Sequence, residues 1–479
     1  MVSLSSLSLP SIASQIEVPH YDRQIVTEGI VHIGVGGFHR AHEAVYMDDL
    51  LNIGYGAEWG ICGVGIRQAD KAMRDALVPQ DCLYTVATRD ADGDKARVIG
   101  AMTNYLFGPD DPAAVREKLA APETRIVSLT ITEGGYGETQ GPQSAFAYLA
   151  EALDLRRQRN LTPFTVLSCD NLQSNGIAAR NALLTYAEKG DAGLLSWIET
   201  NVSFPNCMVD RITPQTTDAD RELVRKEFGI DDAWPVVCEP FRQWIIEDNF
   251  VNGRPKWERV GVQFTTDVHP YETMKLRLLN ASHSAMGYLG FLAGFTYIHE
   301  VIANPLFREF IARLLDDEIT PLLPPVAGID LTDYKQTLLV RFANPAIKDQ
   351  VTRICLDGSS KVPKFLLPSV QEALATGRPT HLLSLAVAGW LRYLTGVDEQ
   401  ENIFAIDDPR AETLQRLARQ GKNDPRPLLS QTEIFGDLRQ SAVFVRQLQE
   451  NLLLLSTVGA LETVRRAISL AGNSPLLHE

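Results

Sequence analysis

The amino-acid sequence predicts an α/β protein in two parts: a doubly wound N-terminal domain over residues 1–270 and a mainly α-helical C-terminal domain over 271–479. Three observations lead there. A chain of 479 residues exceeds what one hydrophobic core supports, so two domains with a cleft between them are expected. From about Ile30 to Asn171, short apolar β-type runs alternate with helical patterns. Past Tyr271 the β-branched runs give way to apolar residues at helical spacing.

The first 25 residues form an arm. Between Ser3 and Ser14, Ser mixes with Leu and Ile, without a basic start and without a continuous apolar core. That reads as a loose arm rather than a signal peptide. The runs IVHIGVG, WGICGVGI, LYTVA, RIVSLTIT and FTVLSCD are continuously apolar rather than alternating, as in parallel strands buried on both faces. RQADKAMRDAL and AAVREKLA supply helices between them, which completes a doubly wound pattern. In the second part, Leu306/Phe307, Phe310/Ile311 and Leu314/Leu315 repeat at helical spacing, and so do the runs Leu382 to Leu394 and Leu452 to Ile468.

Composition narrows the function. With 45% hydrophobic and 22% charged residues and no uninterrupted apolar span, a soluble protein off the membrane is expected. A formal charge of −15 without a Lys/Arg cluster argues against nucleic acid and for a small-molecule substrate. The six cysteines (Cys62, Cys82, Cys169, Cys207, Cys238 and Cys355) are scattered, with no CxxC pair and no zinc-ligand spacing, which suits buried thiols in a reducing cytoplasm.

The first strand runs into Gly34, Val35, Gly36, Gly37, Phe38 and His39. A glycine turn between strand and helix lets backbone N–H groups approach a pyrophosphate. Gly34 and Gly36 fill the first two places of GxGxxG and His39 the third, so the string reads either as a dinucleotide site or as a tight turn. Its place after the first strand favours the dinucleotide. Asp70, after the second strand, is the candidate for the adenosine ribose hydroxyls or else an N-cap for KAMRDAL. Asp70 would repel a 2′-phosphate and so favours NAD, whereas Arg67 would accommodate one and keeps NADP open.

Lys275, Asn280 and His283 interrupt the apolar stretch MKLRLLNASHSAMGYLGFLAGF. On a regular helix Asn280 and His283 fall about 140° and about 80° from Lys275, within one broad face. A buried lysine loses charge readily and becomes a usable base; the alternative is a snorkelling lysine beside two solvent-facing polar residues. Ser168, Cys169, Asp170 and Asn171 end the FTVL strand, where sites gather in open α/β sheets, and Asn171 reads either as a substrate donor or as part of an Asx turn. Asp210 and Arg211 read as a further site cluster or as a buried ion pair.

At these residues the chain resembles the mannitol dehydrogenase family of long-chain polyol dehydrogenases, which includes the fructuronate and tagaturonate reductases. The strings that carry it are GVGGFHRAH, SLTITEGGY, SCDN, FPNCMVDRITP, CEPFRQW with EDNFVNGRP, and the Lys275/Asn280/His283 run, in order over nearly the whole chain. The resemblance implies a Rossmann-type NAD-binding domain, a helical substrate domain, a metal-free site between them and a monomer. It makes Lys275 the general base, with Asn171 and Asn280 holding the alkoxide and His283 orienting the substrate. Asp210, Arg353 and Lys361 bind the polyol, and Glu272 gates proton escape. Gly34, Gly36, Gly37, Phe38, Arg67, Asp70, Thr132 and Glu133 fall to the cofactor.

The strings point to two branches. GIDLTDYKQTL, RFANPAIKDQ and Arg353 with DGSSKVPKF look like the mannitol 2-dehydrogenase branch; CEPFRQWIIEDNFVNGRP, MKLRLLNASHS and AGWLRYLTGVDEQ look like fructuronate reductase. The substrate-facing stretch around Arg353 decides for NAD-dependent interconversion of mannitol and fructose. A uronate reductase and an enzyme for another polyol such as arabinitol or sorbitol are the alternatives. A catalytically inactive dinucleotide- or sugar-binding protein is the reading from another class, and the intact set of Lys275, Asn171, Asn280 and His283 speaks against it. A zinc-dependent polyol dehydrogenase would need a Cys/His ligand set that the sequence lacks.

Overall fold

Five parallel strands form the central sheet of the computed structural model, which describes residues 2–137 and 141–471. In chain order they are β1 (Ile30–Ile33), β2 (Ile61–Gly65), β3 (Met102–Phe107), β4 (Ile126–Leu129) and β5 (Thr165–Ser168). Their spatial order is β3-β2-β1-β4-β5, so the chain reverses its direction of travel across the sheet between β1 and β4. β1, β2, β4 and β5 are buried along their whole length, which explains their unbroken apolar sequences.

One expected strand lies elsewhere. LYTVA gives the strand Tyr84–Thr88, which pairs antiparallel with Lys95–Ile99 and parallel with Val236–Cys238 in a separate three-stranded sheet. β3 takes its place in the central sheet. As an edge strand, β3 mixes buried residues with part-exposed and exposed ones, so a search for continuous apolar runs passes over it. A third sheet joins Cys207–Asp210, Gln243–Glu247 and Gln263–Thr265.

The N-terminal arm is also not loose. Val2–Ser3 pairs with Ile230–Asp231, and Leu4 and Ile12 are buried. Arg23 donates to the carbonyls of Gly100, Asp81 and Met102. Burial of Leu4 and Ile12, worth about 2 kcal/mol each, anchors the arm together with these backbone pairings.

The chain divides into one unit ending at His269 and another beginning at Pro270. The second unit is helical. The run Leu382 to Leu394 is the helix His381–Tyr393, and the run Leu452 to Ile468 is two helices broken at Gly459, whose φ is +80°. Among the described residues, no helix is long and apolar enough to cross a membrane.

Candidate active site

In the first unit the cofactor candidates gather at the C-terminal ends of β1, β2 and β4, around the crevice where the strand order reverses. Gly34 follows β1 with φ +97°, and a Cβ there would stand 2.3 Å from the carbonyl oxygen of Thr130, so only glycine fits. Gly36 is the N-cap of the helix Gly37–Ala41, and a Cβ on it would meet nothing closer than 3.8 Å. The protein leaves that position open, so a ligand can approach the backbone there. A cavity of about 360 Å³ is lined by Gly34, Arg67, Asp70, Thr130 and Thr132, among others.

The glycine turn rests on buried polar groups. Thr130 Oγ1 donates to the Gly34 carbonyl at 2.7 Å and lies 2.8 Å from His32 Nε2. His32 Nδ1 stands 3.1 Å from Glu43 Oε2, and His39 Nδ1 stands 3.2 Å from the same oxygen. Burial works to raise the pKa of Glu43, but hydrogen bonds from His32 and His39 outweigh it and hold the group well below the usual carboxylate range. Burial, reinforced by the charge of His32, lowers His39 to about 4. His32, His39 and Glu43 are also the described residues whose donor atoms lie close enough to suggest a metal site. The two imidazoles stack 3.4 Å apart at 15°, and both Nδ1 atoms are already turned to the Glu43 carboxylate. Phe38 stacks on His42 at 4.8 Å beside the turn.

Asp70 occupies the N-cap position of the helix Lys71–Leu77, but its side chain caps no N–H of that helix. Its Oδ2 accepts the backbone N–H groups of Ile66 and Arg67, and its Oδ1 accepts the Arg67 guanidinium. The carboxylate therefore closes the turn after β2 backwards while also lining the cavity. Thr132, after β4, adopts φ +64°, a conformation that costs a β-branched residue roughly 1–3 kcal/mol. Asp170 holds it there by accepting the N–H groups of Ile131 and Thr132 and the hydroxyl of Tyr136. Glu133, itself exposed, begins the turn Glu133–Tyr136. The sequence marked Asp170 only as one of a polar cluster, because its partners lie 34 to 39 residues away.

Asn171 follows Asp170 at an exposed position, and Asp210 ends the strand Cys207–Asp210 buried. Arg211, the next residue, is buried as well. It donates to the backbone carbonyls of Glu239 and Ala41, tying this segment to the end of the glycine-turn helix.

In the second unit Lys275 ends the helix His269–Lys275, Leu276–Asn280 forms a π turn, and Ala281–Leu292 continues as α-helix. The Ala281 N–H donates to the Leu276 carbonyl, five residues back. The π turn corrects the 140° separation expected on a regular helix: residues five apart lie nearly in line, so Lys275 and Asn280 share a face, with His283 about 60° round from Asn280. Glu272, Lys275 and Asn280 are buried; His283 is half-buried against Phe342, with ring centroids 4.6 Å apart.

Arg353 and Lys361 stand on the helices Val351–Ile354 and Gly358–Phe365. A Cβ on Gly287 would lie 2.6 Å from Ile354, so the Arg353 helix packs directly on the helix of His283. Lys361 Nζ donates to the Ile354 carbonyl at 3.4 Å, and burial lowers its pKa.

Comparison with known proteins follows the same two-part division. Residues 28–259 match the model of a mannitol dehydrogenase Rossmann domain, and residues 267–456 that of a mannitol dehydrogenase C-terminal domain. A mannitol 2-dehydrogenase of Pyrenophora tritici-repentis is 48% identical, covering 97% of this chain and 86% of its own. The structure of a Pseudomonas fluorescens mannitol 2-dehydrogenase, a ternary complex with NAD and D-mannitol, superposes with a TM-score of 0.90. It is 47% identical and covers 98% of this chain and 100% of its own. A D-sorbitol dehydrogenase in substrate-free form gives a TM-score of 0.88 at 34% identity, covering 97% and 100%.

Proposed function

This chain belongs to the mannitol dehydrogenase family, and from that premise we propose that it oxidises D-mannitol to D-fructose with NAD and catalyses the reverse reduction, without a metal and with Lys275 as the base. The observation that carries the reading is the full-length similarity to mannitol 2-dehydrogenases, one of which was captured with NAD and D-mannitol. The cavity after β1, β2 and β4 suits NAD. Gly34 and Gly36 expose backbone to a pyrophosphate, and Asp70 presents a carboxylate toward the ribose end. Gly37, Phe38, Arg67, Thr132 and Glu133 complete that set.

Bound NAD supplies the hydride acceptor for the carbinol carbon. The Lys275 amine takes the hydroxyl proton, and the amides of Asn171 and Asn280 donate to the alkoxide that develops. Two preorganised donors, each worth roughly 3 kcal/mol by analogy with an acyl-transfer oxyanion hole, can substitute for the Lewis acid of a zinc enzyme. His283, Asp210, Arg353 and Lys361 orient the remaining hydroxyls, and Glu272, one turn before Lys275, returns its proton to solvent.

The test is NADH and NADPH oxidation by the purified protein with fructose, fructuronate, tagaturonate and xylulose, each with a strong chelator present. Fructose with NADH is expected to be fastest. A faster uronate moves the chain to the reductase branch, and chelator inhibition reversed by zinc overturns the metal-free mechanism.

A further inference from the structure

Arg353 already has a carboxylate partner. Its Nε and Nη2 donate side-on to the two carboxylate oxygens of Asp349, both at 2.7 Å, and Asp349 is only 8% exposed while Arg353 is 51% exposed. The backbone fixes Asp349 in place. Its carbonyl accepts the Ile298 N–H, Gln350 bridges to Tyr297, and the Val351 N–H donates to Thr296. One edge of the guanidinium fork is thereby used, and Nη1 with the outer N–H groups is left for a ligand.

A neutral polyol hydroxyl can accept from those remaining donors. A sugar acid cannot do so at equal cost, because its carboxylate would have to displace Asp349 from a mostly buried, bidentate pair or settle beside it as a second negative charge. Lys361 offers only a single ammonium that is already turned toward the Ile354 carbonyl. Selectivity of this kind comes from a repulsive element built against the wrong substrate.

We propose that Asp349 is a specificity-determining residue that reserves Arg353 for uncharged polyols and ketoses and excludes uronates. The proposal rests on the functional reading above, since it takes Arg353 as a substrate-facing group. Spacing alone holds the pair at i, i+4 in KDQVTR, but its side-on geometry and the burial of Asp349 distinguish it from an exposed helical ion pair.

The experiment measures kcat and KM for fructose and for fructuronate, both with NADH, in the wild type and in Asp349→Asn, Asp349→Ser and Asp349→Glu. The wild type is expected to prefer fructose. Asp349→Asn is expected to raise kcat/KM for fructuronate by roughly tenfold or more, through KM, with Asp349→Ser read in its place if the first variant does not fold. Asp349→Glu keeps the discrimination, and adding Arg353→Gln to Asp349→Asn abolishes the gain. The proposal is overturned if both neutral variants reduce fructose but leave fructuronate within about twofold of wild type, or if they lower both substrates alike. A wild type that does not reduce fructose overturns the functional reading itself, an outcome the first arm separates from failure of the Asp349 variants.

Discussion

Lys275 sits where an α-helix gives way to a π turn, buried beside Asn280 on one face. As the proposed base it acts in proton removal rather than in holding the cofactor, whose candidate residues all lie before His269. Lys275→Ala is therefore expected to lower kcat for mannitol oxidation by about 100-fold or more while the NADH dissociation constant stays within about twofold; general-base catalysis commonly supplies such factors. Stopped-flow turnover with fluorescence titration of NADH checks it, and near-normal turnover at the best pH would remove Lys275 from the role. At this scale the sequence showed residue types better than partnerships. Lys275, Asn280 and His283 stand out because polar groups interrupt an apolar run. The attachment of Asp170 to the Thr132 loop does not, since only folding brings strands β4 and β5 side by side.

The helix His381–Tyr393 has no side-chain cap of its own at Thr380, and Glu318 serves instead, its carboxylate accepting the N–H groups of Leu382 and Leu383 at 2.8 Å. Burial pushes Glu318 up from 4.5 to about 7 despite those bonds. Between about 4.5 and 7 the folded chain thus holds a proton that the unfolded chain has lost, so the contribution of this group to stability falls as pH rises through that window. Melting curves at pH 5 and pH 8 are expected to show a smaller pH difference for Glu318→Gln than for the wild type, even though the variant melts lower overall. An equal or larger difference would contradict the assignment. Elements were legible where one periodicity dominates, as in β1 or the helix His381–Tyr393. They were illegible where the backbone departs from the regular repeat. Neither the π turn at Leu276–Asn280 nor the one at Leu314–Ile319, which contains Glu318, has a composition of its own.

For the molecule as a whole, the change from buried parallel strands to helical spacing announced the α/β and helical parts, and the family match covers both. The arm was misjudged because its anchors are distant: Ile230 and Asp231 for Val2 and Ser3, and the carbonyls of Asp81, Gly100 and Met102 for Arg23. A chain lacking residues 2–12 loses Leu4 and Ile12 from a small core cluster that includes Leu83, Val98 and Val237. It is expected to melt several degrees lower, since about 4 kcal/mol of burial goes with them. Calorimetry of the truncated and full chains measures this, and an unchanged transition would show the arm to be dispensable.

If Asp70 serves the ribose as proposed, its double attachment limits how this protein can change coenzyme over evolutionary time. Its carboxylate faces the cavity and at once fastens the backbone at Ile66 and Arg67. A lineage that discards the charge to admit a phosphorylated ribose also unfastens the turn that carries Arg67. The accessible path runs through residues that keep an acceptor at position 70, such as serine or asparagine, so drift toward NADP passes through a narrow set of intermediates rather than a single substitution.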